Sequence, residues 1–162
     1  EEQGYTVEIV EFTDYVQLLQ DLEQTLRDLT ALQPEKIAAV RAHDLEVLND
    51  CMKREQAASL ALRGLEQKRA NMAKALGVGG VPIRQVAGHC PETCGGELSR
   101  AVESLIRQGR ELRSAQDAAR AVVESDLRRV NGELERRGVA TDPEDGAQPA
   151  APPRTMPTHI RA

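Results

Sequence analysis

The residues of this chain best suited to chemistry crowd into one short stretch, where His89, Cys90 and Cys94 sit among glycines at 88, 95 and 96. Two thiolates beside an imidazole are a ligand set for zinc, which takes sulfur and nitrogen donors in tetrahedral array. The run supplies three donors, so a fourth would have to come from Cys51, His43 or a second subunit. The same two thiols could also act as a redox pair, although cysteines of cytosolic proteins are mostly kept reduced. The plainer reading, adopted here, is a pair of ordinary thiols in a variable loop, with no resident metal and no cofactor. Cys51, next to Met52, reads as a small packing residue rather than a nucleophile. The chain has no glycine-rich phosphate loop followed by Lys and no serine on a nucleophile elbow. Its Glu/Arg pairs have the spacing of surface ion pairs rather than of acid–base dyads. No enzymatic activity is expected.

The elements that would carry these residues are helical. Tyr5, Phe12 and Tyr15 are the aromatic residues, Trp is absent, and Ala, Leu, Glu and Arg dominate, which is the usage of extended helical bundles. A slender bundle holds itself together along a seam of Leu, Val and Met, each worth roughly 1.5–3 kcal/mol when fully buried. The formal charge of −5 is unevenly spread: residues 1–32 carry eight acids against Arg27. The arginines of 100–137 alternate with nearly as many acids, so there is no clustered cationic face to release counterions, and nucleic-acid binding is not expected. No run of about eighteen apolar residues exists, which argues against membrane insertion. The acidic N-terminus lacks a signal-peptide pattern, so the expected location is cytoplasmic.

Three long helices follow from periodicity. The first spans about 7–42, with Phe12, Tyr15, Leu19, Leu22, Leu26 and Leu29 at heptad-like steps and Ile37 and Val40 continuing the stripe. Pro34 lacks the helical N–H and crowds the carbonyl four residues earlier, which predicts a kink or a restart there. His43-Asp44 makes a tight corner, and Asp44 can accept hydrogen bonds from the first turn of a second helix over 44–76. That helix carries Leu45, Leu48, Met52, Leu62, Leu65, Met72 and Leu76 on one stripe, which needs partner helices to cover it. Gly77 is placed to end it in a left-handed conformation. Residues 77–96 hold six glycines and two prolines and form a loop, with Val81, Ile83 and Val86 suited to a turn of helix capping the bundle end. The third helix is expected over 97–137, with a seam of Leu98, Val102, Leu105, Leu112, Ala115, Ala119, Val122, Leu127, Val130 and Leu134, and Gly138 as its stop. The predicted fold is all-α: an antiparallel, coiled-coil-like bundle of three long helices over 1–138. From 139 to 162 the chain holds five of the eight prolines and few larger apolar residues beyond Met156 and Ile160. Such a tail cannot bury a core and is expected to be disordered.

The run from Leu26 through Gly77 carries a resemblance in its corner His43-Asp44-Leu45, the group Lys53-Arg54-Glu55-Gln56, then Leu62, Leu65-Glu66, Arg69 and Leu76-Gly77. With the glycine/proline loop and a third helix ending in Val130-Asn131-Gly132-Glu133-Leu134, it resembles the FlgN family of flagellar export chaperones over roughly residues 8–137. The resemblance implies a cytoplasmic chaperone that binds the C-terminal helical segments of hook–filament junction (hook-associated) proteins, keeps them unassembled and delivers them to the flagellar type III export gate. It attributes substrate contact to the end of the third helix, here Val122, Leu127, Val130 and Leu134. An amphipathic substrate helix held in an uncovered apolar groove is physically suited to that task, because binding and release need no nucleotide. Two other readings share this composition: a coiled-coil adaptor or scaffold, acting as a homodimer, and a zinc-linked regulatory module.

Overall fold

The computed structural model describes the backbone of residues 2–138, with side-chain surroundings from residue 11. All its regular structure is helical: α1 Glu2–Ala42, α2 Leu45–Ala75, a 3-10 turn Ile83–His89, and α3 Glu92–Arg136. The expected tail, 139–162, lies outside the described residues. The chain divides into two compact units, Glu1–Leu127 and Arg128–Ala162, and the division falls within α3.

α1 is the spine of the first unit. Phe12, Tyr15, Val16, Leu18, Leu19, Leu22, Leu29, Leu32, Ala39 and Val40 are all buried, a stripe broad enough to face two neighbours at once. Toward α2, Tyr15 receives a hydrogen bond from Arg69, Gln33 and Lys36 donate to Glu55, and Glu35 accepts from Arg54. Residue numbers therefore fall along α2 as they rise along α1. Toward α3, Ser104 donates to Glu23, Gln108 donates to Thr30, and His43 lies 3.8 Å from Asp126, so here the numbers rise together. Pro34 stands inside α1, and the chain continues as one helix instead of restarting. Gln108, buried beside this region, hydrogen-bonds the Thr30 hydroxyl, and flanking burial at Leu29, Leu32 and Val40 holds the segment in place.

Both ends of α2 are built by local chemistry. Asp44 accepts from the Val47 N–H at 3.1 Å as N-cap. His43 adopts φ +53°, and the pair His43 N–H to Val40 C=O and Asp44 N–H to Ala39 C=O is the Schellman pattern that closes α1. Gly77, at φ +74°, repeats it at the end of α2, with Val78 N–H bonded to Ala73 C=O and both side chains buried in one cluster.

α3 begins at Glu92, five residues before the predicted Glu97. The glycines at 95 and 96 disfavour helix by about 1 kcal/mol each, but Pro91 opens the first turn, its carbonyl accepting from Cys94 and Gly95 N–H, and Cys94 is anchored in the core. Tertiary burial outweighs propensity here. The predicted cap of the bundle end is the turn Ile83–His89, which buries Val86 in the principal core, the cluster that also holds Phe12, Tyr15, Val16, Leu19, Leu98 and Val102. In the second unit, residues 128–136 complete α3, with Arg129 3.6 Å from Glu133 and Gly138, just beyond, at φ +67° as the stop.

Candidate functional site

The loop that looked most chemical is occupied with packing. Cys94 is buried, and both thiols donate to nearby carbonyls, Cys90 to Ala87 and Cys94 to Pro91. Burial, reinforced by a hydrogen bond and the charge of Cys94, pushes the Cys90 thiol up to about 11. A thiol held protonated is a poor nucleophile, because it is the thiolate that attacks. His89 is exposed, and among the described residues no three His, Cys, Asp or Glu side chains converge as a metal site. Cys51 lies at the α1–α2 contact, fully buried near Glu35, and burial followed by that carboxylate raises its pKa as well.

What the helices leave open is a groove. α2 buries only Cys51 and Ala73 fully, and its predicted stripe divides in two. Leu62, Leu65, Met72 and Leu76 pack onto the principal core, whereas Leu45 is 77% exposed and Met52 is also exposed. The stripe is therefore covered along its C-terminal half only. At the uncovered half, Leu48, Met52, Glu55, Gln56, Ser59, Leu60 and Arg63 of α2 face Gln116, Arg120, Val123 and Glu124 of α3 across an open groove of about 910 Å³. Gln33 and Lys36 of α1 line it as well. Leu60, absent from the predicted stripe, is 71% exposed, and Val123 is exposed too. The signal for this groove lay in the apolar residues of α2 beyond those one neighbour can cover, but the sequence could not say which half would go uncovered.

A polar cluster organises the wall between α1 and α2. Lys36 Nζ donates to Glu55 Oε2 at 2.7 Å and Gln33 Nε2 to Glu55 Oε1 at 3.2 Å. Burial by itself raises the pKa of Glu55, but the hydrogen bonds from Lys36 and Gln33 and the charge of Lys36 together outweigh it and hold the carboxyl below its ordinary value. Gln33 is 1% exposed; its amide also donates to the Leu29 carbonyl, while its Oε1 has no hydrogen-bond partner. A buried acceptor left unpaired costs about 1–3 kcal/mol, an unusual feature to find beside an open groove.

The four residues predicted for substrate contact are distributed differently. Val122 is half-buried and is not among the groove residues; its neighbour Val123 is, because one helical step turns the side chain by about 100°. Leu127 ends the first unit and is 58% exposed. Val130 and Leu134 belong to the second unit, the former exposed and the latter half-buried.

An all-helical fold with an uncovered apolar groove offers a face suited to a partner helix. Comparison with known families agrees: residues 11–136 match the family described as FlgN protein, and the chain belongs to that family, one of flagellar export chaperones. No curated protein and no solved structure matches the chain. Among the described residues, no helix is long and apolar enough to cross a membrane.

Proposed function

We propose that this protein is a cytoplasmic chaperone of flagellar type III export that holds the C-terminal helical segments of hook–filament junction proteins and hands them to the export gate, without catalysis. We read its helices as an up-down-up bundle, α1 antiparallel to α2 and parallel to α3, in accord with the direction in which their contacts run. The observation that carries the proposal is the groove: in a chain of the FlgN family, Met52, Leu60 and Val123 are left facing solvent where three helices meet. A substrate helix would lay its apolar face there, gaining burial for side chains that otherwise aggregate. The ordering of such a segment costs around 2–5 kcal/mol, which keeps affinity moderate and permits release. The family resemblance adds Val122, Leu127, Val130 and Leu134 as contacts, of which Leu127 and Leu134 are tested separately.

The test is calorimetric titration with the C-terminal segment of a hook–filament junction protein from the same organism, with circular dichroism before and after mixing. The expected result is a one-to-one complex of micromolar or tighter Kd and a gain in helix. Met52→Asp and Leu60→Asp should weaken it at least tenfold with the free protein's helicity retained, because both side chains are exposed. Leu127→Asp and Leu134→Asp, measured in parallel, report on the end of α3. No binding by a folded, monodisperse sample overturns the proposal.

A further inference from the structure

The charges of the groove select among helices. The chain as a whole carries −5, and α1 contributes much of that acidity, yet the groove is net cationic. Lys36 and Glu55 neutralise each other, leaving Arg63 on the α2 wall, and Arg120 with Glu124 on the α3 wall. Among the described residues none of these three makes an ion pair or hydrogen bond, whereas Arg27, Arg54 and Arg69 all have carboxylate partners. Arg63 on α2 and Arg120 on α3 therefore share the groove with Met52 and Leu60, and Gln33, whose Oε1 is unpaired, lines it as well.

The groove's dimensions set the size of what fits. From Leu48 to Arg63 α2 rises about 22 Å, which matches about four turns of helix. The groove is open along one side, so a helix laid in it buries one face and leaves the other in water. Resting on the reading of this groove as the substrate site, we infer that its occupant is an amphipathic helix of about four turns. Beside its apolar stripe it carries Asp or Glu placed to meet Arg63 and Arg120, the two cations of a groove whose net charge is positive. Opposed charge of this kind contributes less to affinity than the apolar anchors do, but it fixes register and rejects helices with basic shoulders.

The probes are two synthetic peptides of equal length with the same leucine stripe, one with glutamate and one with lysine shoulders, titrated against the full chain at low and high salt. The glutamate peptide should bind about tenfold tighter at low salt, an advantage that shrinks as salt screens it. In the Arg63→Ala/Arg120→Ala double variant, with helicity checked, the advantage should fall to within about twofold. Equal affinities, a preference for the lysine peptide, or a glutamate advantage that survives in the double variant would overturn the inference. Met52→Asp separates the two levels: glutamate-peptide binding abolished by Met52→Asp but indifferent to the arginines retires the acidic-shoulder inference alone. Binding indifferent to Met52→Asp, or no binding by either peptide, removes the groove as the site and the inference with it.

Discussion

Replacing Leu98 and Leu60 by alanine, one at a time, compares the closed and open regions of the same fold. Leu98 is fully buried, in a cluster with Tyr15, Leu19, Val86 and Val102, whereas Leu60 keeps 71% of its surface in water. Removing three buried carbon groups loses about 2.4 kcal/mol of transfer free energy at roughly 0.8 kcal/mol each. The cavity left behind adds to this, so Leu98→Ala should cost about 3–4 kcal/mol. Leu60 can lose at most about three-tenths of the transfer term, roughly 0.7 kcal/mol, and alanine's better helix propensity offsets part of that. Urea unfolding followed by circular dichroism reads both from the midpoint, provided the slope m is unchanged. A Leu98→Ala loss below about 1 kcal/mol, or a Leu60→Ala loss approaching half that of Leu98→Ala, would refute the division into a packed end and an open groove.

Four further outcomes follow from single positions. Glu55 has its folded pKa held below the unfolded value, so its contribution is present above about pH 4.3 and is lost as pH falls through the folded pKa. Glu55→Gln should therefore lie below wild type in stability at pH 7 and converge with it in acid, as a pH series of urea midpoints would show; parallel curves would argue against the clamp. Gly77→Ala, forcing a side chain into φ +74°, should cost about 1 kcal/mol, and Asp44→Ala, which removes the bond to Val47 N–H, should cost a similar ~1 kcal/mol, both measured by denaturant midpoint. Gln33→Met removes the buried unpaired Oε1 at nearly constant volume and should leave stability unchanged or raise it by about 1 kcal/mol; a clear loss would mean that the bond to Glu55 matters more.

Much of the architecture was legible along the chain because its causes are local. Asp44 and Gly77 bound α2 through hydrogen bonds within a few residues of each, and the three- and four-residue recurrence of Phe12, Tyr15, Leu19, Leu22 and Leu29 determined which face of α1 is buried. The corner was legible as a turn, but not that His43 would take the left-handed position glycine usually fills. Local rules misplaced the start of α3, since they count the cost of Gly95 and Gly96 without the burial of Cys94 that offsets it. Of the two outcomes anticipated at Pro34, a kink or a restart, the restart does not occur, and the helix runs on between well-buried neighbours.

The site was less legible than the fold, for a physical reason. Periodicity identifies a face that prefers to leave water, and by itself it determined that α2 carries such a face from Leu45 to Leu76. It cannot say how far a neighbour follows that face. Only the tertiary structure decided that Leu62, Leu65, Met72 and Leu76 are covered while Met52 and Leu60 border an open groove with Arg63 and Arg120 on its walls, because coverage depends on the separation of helices joined through the distant turn at Ile83–His89, a property of the whole packing that no window of sequence contains.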